Sequence, residues 1–280
     1  MILPVLAYPA INPVAIKLGP LSVRWYGLAY LAGFVVAGLV MHWLVKRWGV
    51  DLTDDDQLTV VLAAVLGVIV GGRLGYVLVY GNGYFLAHPA SILAIWDGGM
   101  SFHGGLVGIL VAGVVVSRMV RVPFLTLCDL GAVGAPVGLL FGRMANFING
   151  ELWGRVTTVP WGMVFPGAGP YPRHPSQLYE ALLEGVVLFA VILWMATRSR
   201  PPARGVLLGW FLTLYGVFRI LVEFFRQPDV QMGARGFFAG WLTTGMLLSA
   251  PLVAAGVWIV IWASRAGLAE ADTKNSSAKS

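Results

Sequence analysis

Gly142-Arg143-Met144-Ala145-Asn146-Phe147-Ile148-Asn149-Gly150-Glu151-Leu152-Trp153-Gly154 closes an apolar run that begins at Leu130. An arginine, two asparagines and a glutamate at the mouth of such a segment are costly. A charge in hydrocarbon costs roughly 2.5–3.5 kcal/mol on insertion scales, so intramembrane ionisable groups mark functional sites by default. The alternative is an arginine snorkelling from a helix end.

The rest of the chain carries the same signature. Of its 280 residues, 58% are hydrophobic and 11% charged, and the mean hydropathy is +0.79, whereas about a quarter of a soluble domain is charged. The composition predicts an all-α, polytopic integral membrane protein. Windows long enough to cross about 30 Å of hydrocarbon lie near Val23–Leu44, Leu58–Val79, His103–Met119, Leu130–Ile148, Leu178–Thr197, Gly205–Phe224 and Phe238–Ala263, about seven transmembrane helices. Pro89–Trp96 is too short to cross and reads as interfacial or re-entrant.

In a soluble protein the net charge of +6 would raise nucleic-acid binding; here it reads as topology, and no nucleic-acid partner is expected. An external N-terminus places Lys46, Arg47, Arg118, Arg121, Arg198, Arg200, Arg204, Arg265, Lys274 and Lys279 inside. Lys17, Arg24, Arg155, Arg173, Arg226 and Arg235 then lie outside. The positive-inside rule favours that orientation, with the C-terminus cytoplasmic. No basic n-region with a small-residue cleavage site opens the chain, so no removable signal peptide is expected.

Short connections leave room for one membrane domain over residues 1–266, with an external loop at 149–177 rich in Pro, Gly and Trp, and a polar, disordered cytoplasmic tail at 267–280. Glycines four apart (Gly67, Gly71, Gly75; Gly104, Gly108; Gly134, Gly138, Gly142) permit close helix contact. Cys128 is the only cysteine, and the four histidines show no metal-ligand spacing, so no metal site or disulfide is expected.

With the topology set by charge, the polar residues within spans fall at one end. Tyr26 and His103 start inward-running spans; Arg143 and Asn146 lie near the end of an outward one. Tyr215, Arg219 and Glu223 follow at successive i, i+4 steps near the end of another, on one helical face. A shared depth from four spans describes a cavity open toward the outer leaflet. Arg143 and Asn146, three apart, pair a charge with an amide, which suits an anionic oxygen. Arg219 and Glu223 also fit a purely structural ion pair, and His103, flanked by Gly104 and Gly105, also fits a satisfied interior histidine. A small-anion channel or transporter is the competing class. It would need access from both faces, whereas these groups cluster at one.

Several segments now carry a resemblance: Arg24-Trp25-Tyr26-Gly27, Gly71 to Tyr76, Trp96 to Gly105, Gly142 to Arg155, Arg173-His174-Pro175-Ser176-Gln177-Leu178-Tyr179-Glu180, and Phe218 to Asp229. The chain resembles bacterial phosphatidylglycerol:prolipoprotein diacylglyceryl transferases. The resemblance implies transfer of the sn-1,2-diacylglyceryl group from phosphatidylglycerol to the lipobox cysteine thiol of a prolipoprotein, with release of glycerol phosphate. That is the first step of lipoprotein maturation in the bacterial inner membrane, with the active site toward the periplasmic leaflet. Carried over by position, His103, Tyr26 and Arg219 fall at catalytic positions. Arg143, Asn146, Glu151, Gly154, Tyr215 and Glu223 fall where phosphatidylglycerol is bound. No cofactor is implied. The base that takes the thiol proton stays open between His103, Tyr26, and Glu223 acting through Arg219.

Overall fold

A computed structural model describes residues 6–19, 21–81, 83–95, 98–198, 202–227 and 242–277. Arg200, Arg235 and Lys279 of the charge count, and Trp96, Asp97, Pro228 and Asp229 of the quoted segments, lie outside the described residues. The chain is mostly helical: α1 (Trp25–Trp48), α2 (Asp54–Tyr80), α3 (Tyr84–Ala87), α4 (Phe102–Met119), α5 (Phe124–Asn149), α6 (Ser176–Glu180), α7 (Leu188–Ala196), α8 (Val206–Glu223) and α9 (Thr244–Ser277). A wide π-helical stretch, Ala181–Val187, joins α6 to α7, so that Ser176–Ala196 forms one apolar rod. Among the described residues, six helices are long and apolar enough to cross a membrane, as in a polytopic membrane protein, while the apolar part of α4, His103–Met119, is shorter.

The all-α expectation misses one element. An antiparallel hairpin, β1 (Val14–Leu18) and β2 (Leu21–Arg24), pairs Lys17 with Ser22 and turns at Gly19, whose φ is +59°. Most of it precedes the first apolar window, where short alternating strands escape a search for long runs. At the other end α9 continues past Gly267 to Ser277, where the polar composition predicts disorder. Leu268, Ala269, Glu270 and Ala271 are good helix formers, and they extend a helix already nucleated.

The helices cluster into two compact units: residues 1–40 with 131–280, and residues 41–130. In the second, α2 and α4 pack through the glycines that the sequence singles out. A Cβ on Gly71 would stand 2.7 Å from Gly108 Cα, and one on Gly75 2.7 Å from Gly104 Cα, so only glycine permits this approach. Buried Arg73 donates from its guanidinium to the carbonyls of Ser91, Ile92, Gly98 and Gly99. That satisfies its charge locally.

In the first unit a Cβ on Gly134 would fall 2.9 Å from Ala37 Cβ, but a Cβ on Gly138 or Gly142 would meet nothing within 4 Å. The glycine spacing therefore reports packing at Gly134 and open space at Gly142. The 149–177 loop is irregular yet tied down. Bridges join Leu6 to Met163, Gly154 to Arg226, and Arg173 to both Val156 and Met163. Phe147, Phe165 and Ala168 form a small core beneath it.

Candidate functional site

The centre is built at the C-terminal end of α5. Gly150, at φ +68°, turns the chain back on the helix, and the Glu151 amide donates to the Asn146 carbonyl at 3.1 Å. That turn brings the Glu151 carboxylate onto the Asn146 side chain, whose Nδ2 donates at 2.8 Å; Asn149 Nδ2 donates to the same oxygen at 3.2 Å. The neighbouring carbonyls of Phe147 and Ile148 accept from the Tyr8 hydroxyl at 2.6 and 2.9 Å. From below, Gln177 Nε2 donates to the Glu151 carbonyl at 2.6 Å and Ser176 Oγ to the Leu152 carbonyl at 3.0 Å. The polar end of α5 is thus fixed from both sides.

One turn before Asn146 on the same face, Arg143 points into a set of charges. Its Nε lies 2.6 Å from Glu180 Oε2, and its Nη2 lies 3.6 Å from Glu184 Oε2. Both glutamates are fully buried. Tyr26 and Tyr215 lie within electrostatic reach of the same guanidinium, and Tyr26 stands 3.3 Å, hydroxyl to hydroxyl, from Tyr30. On α8, Arg219 Nη1 pairs with Glu223 Oε2 at 3.1 Å across one helical turn. Tyr215, one turn earlier, sits within reach of Glu184, Arg143, Arg219 and Glu180. The Glu223 carboxylate packs so closely on α9 that a Cβ at Gly245 would fall 2.7 Å from it.

Residues from four elements of one unit therefore converge: Tyr26 and Tyr30 of α1, Arg143 and Asn146 of α5, Glu180 and Glu184 of the Ser176–Ala196 rod, and Tyr215, Arg219 and Glu223 of α8. Buried charges persist only when paired, and here they are. Gly154 has a different part. Its amide donates to the His174 carbonyl at 2.8 Å, and a Cβ there would fall 2.7 Å from His174 Cβ, so it is the close-approach point of the loop. Arg173 locks the same loop, with its guanidinium over the Trp153 ring at 4.1 Å and bonds to the Ala168 and Gly154 carbonyls. Burial lowers the pKa of His174, which faces the Tyr179 hydroxyl at 3.1 Å.

His103 lies in the other unit, in the first turn of α4, with an exposed side chain; Ser101 caps that turn through the Gly104 amide. Cys128 lies in the first turns of α5, at the opposite end of that helix from Arg143. Among the described residues, no group of His, Cys, Asp and Glu is arranged to hold a metal. Sequence reasoning misses Glu180, Glu184 and Tyr30. The first two were legible as acidic residues four apart inside an apolar window, which the search for spans absorbed as part of a helix.

Residues 13–262 match the protein family described as prolipoprotein diacylglyceryl transferase. A phosphatidylglycerol–prolipoprotein diacylglyceryl transferase of Geobacter sulfurreducens is 51% identical over 258 residues, which cover 92% of this chain and 97% of that protein. The proteins of the same name from Coxiella burnetii and Aliivibrio salmonicida are 51% and 46% identical. They cover 93% and 98% of this chain, and 98% and 95% of their own lengths.

Proposed function

The chain belongs to the prolipoprotein diacylglyceryl transferase family, and on that premise we propose that the Arg143 centre holds the phosphate of phosphatidylglycerol during transfer. The protein is a transferase that moves the diacylglyceryl group of phosphatidylglycerol to a prolipoprotein, the first step of lipoprotein maturation. The acceptor is the lipobox cysteine thiol, and the products are a thioether and glycerol phosphate. The carrying observation is Arg143, an intramembrane arginine gripped by two buried glutamates beside Asn146, Tyr26 and Tyr215.

The chemistry follows from charge. A free thiol with pKa near 8.5 is only a few per cent ionised at neutral pH. Its proton passes to a base, the carbon–sulfur bond forms at the glyceryl carbon, and the carbon–oxygen bond breaks. The phosphate leaves with that electron pair and gains one negative charge. Arg143 and Arg219 supply countercharge where that charge grows, in surroundings of low dielectric. Asn146 and Glu151, locked together at 2.8 Å, shape the headgroup end of the centre; Gly154 holds the loop over it, and Tyr215 and Glu223 line and brace it. His103 is the first choice for the base, with Tyr26, or Glu223 acting through Arg219, as the others.

Seven spans, with α4 as the third, an external N-terminus and a cytoplasmic C-terminus put the Arg143 end of α5 toward the periplasmic leaflet of the inner membrane. The basic-residue bias supports this reading. Purified protein given phosphatidylglycerol and a lipobox peptide should add one diacylglyceryl mass to the peptide and release one glycerol phosphate. The matching peptide with serine for cysteine should gain nothing. Binding of anionic lipid without any mass gain on the cysteine peptide overturns the transfer reading for this site.

A further inference from the structure

Glu180 and Glu184 have no part in the chemistry above, yet they are the most deeply buried charges around Arg143. They stand four apart, with Glu184 inside the wide turn Ala181–Val187, and π-helical turns are frequent at functional sites. Their hold on the guanidinium is close but poorly aligned. No described donor meets hydrogen-bond geometry at any of their four carboxylate oxygens, although Glu180 Oε2 is 2.6 Å from Arg143 Nε. Two buried carboxylates without aligned donors are expensive to keep. Such an arrangement holds the arginine in place while leaving its terminal nitrogens to a better-aligned anion.

The charge around the pair sharpens this. From α5 it faces Arg143; from α8 and the residues after it come Tyr215, Arg219 and Arg226, with Glu223 already paired to Arg219; Tyr26 of α1 acts on Arg143. Among these groups Arg143, Arg219 and Arg226 formally balance Glu180, Glu184 and Glu223, and the Glu151 carboxylate adds a further negative charge within reach of Tyr30. A phosphodiester entering this set brings one uncompensated negative charge. Resting on the reading of Arg143 as the phosphate-holding group, we propose that Glu180 and Glu184 are positioning residues for Arg143, and that Glu184 takes up one proton from solvent as the lipid phosphate binds. Glu180, in contact with Nε at 2.6 Å, fixes the direction of the guanidinium. Glu184, 3.6 Å from Nη2, is the looser partner and the one released.

The test uses the full chain in phosphatidylcholine nanodiscs with dihexanoyl phosphatidylglycerol as the probe. Calorimetric titration of the parent in two buffers of different ionisation enthalpy reads proton uptake directly, without any variant. One proton taken up per lipid is expected, and the dissociation constant should rise toward about tenfold per pH unit on the alkaline side. Glu184→Gln, already neutral, should bind with no uptake and a flat pH profile, while His103→Gln keeps the uptake of the parent. Glu180→Gln should lower kcat/KM by misdirecting the guanidinium, about 10- to 150-fold where one phosphate contact is lost, and Glu180→Asp should recover part of it. Lipid binding without proton uptake in the parent, or uptake that persists in Glu184→Gln, overturns the proposal alone. No binding of the probe by the parent overturns both the proposal and the phosphate-holding reading beneath it.

Discussion

Replacing Arg143 with lysine keeps one positive charge but removes the planar fork. In the structure the fork meets two carboxylates at once, Nε at 2.6 Å from Glu180 and Nη2 at 3.6 Å from Glu184. A lysine ammonium is a compact point charge with three rotatable donors, so it cannot hold both carboxylates and the phosphate in the planar geometry that the fork fixes. Losing one charge-assisted hydrogen bond in the transition state costs about 1.5–3 kcal/mol, or about 10- to 150-fold in kcat/KM. Because the charge remains, Glu180 and Glu184 are not stranded, and Arg143→Lys should insert and unfold much as the parent does. Arg143→Gln differs: it leaves the pair uncompensated, a penalty of about 3–5 kcal/mol, and should lose stability as well as transfer. The assay is the mass gain of a lipobox peptide at matched amounts of inserted protein, read beside the thermal unfolding midpoint. Near-parent transfer by stable Arg143→Lys would falsify the phosphate-clamp role.

Gly150→Ala places a side chain at φ +68°, costing about 1–2 kcal/mol, with its Cβ 3.3 Å from the Tyr8 hydroxyl. The unfolding midpoint and transfer should fall together, and an unchanged midpoint would show that the turn does not hold Glu151 on Asn146. Cys128→Ser should transfer at the parent rate, since the nucleophile arrives on the substrate; abolished mass gain in a stable variant would point to a covalent enzyme intermediate. His103→Gln should bind lipid yet transfer slowly at neutral pH. Its deficit should shrink toward pH 9.5, as the substrate thiol, with a pKa near 8.5, ionises unaided. A deficit constant across that pH series would remove His103 as the base and favour Tyr26 or the Arg219 and Glu223 pair.

The membrane spans were legible because hydrocarbon demands long apolar runs, and α1, α2, α5, α8 and the Ser176–Ala196 rod fall close to their windows. Arg143, Asn146, Tyr215, Arg219 and Glu223 were legible for the complementary reason: polar groups in such runs have little excuse except a site. The hairpin Val14–Arg24 was not, because its strands are short and their pairing is settled by a turn at Gly19 rather than by periodicity. Glu180 and Glu184 escaped because their meaning depends on Arg143, thirty-seven and forty-one residues earlier in the chain, and a span search sees only one helix at a time. Gly142 shows the converse error. Its spacing from Gly134 and Gly138 reads as packing, yet a Cβ there meets nothing.

At the heart of the account is a single direct displacement, in which the substrate's own thiolate attacks the glyceryl carbon while Arg143 holds the departing phosphate. A two-step route would instead use a nucleophile of this chain, such as a carboxylate of the centre or Cys128. The decisive measurement is the stereochemical course at that carbon. Phosphatidylglycerol carrying one deuterium of known configuration at the reacting methylene is converted to the thioether, and the configuration of the product is determined by NMR after derivatisation. One displacement predicts inversion, whereas retention would require two successive displacements through a covalent enzyme intermediate and would contradict the account.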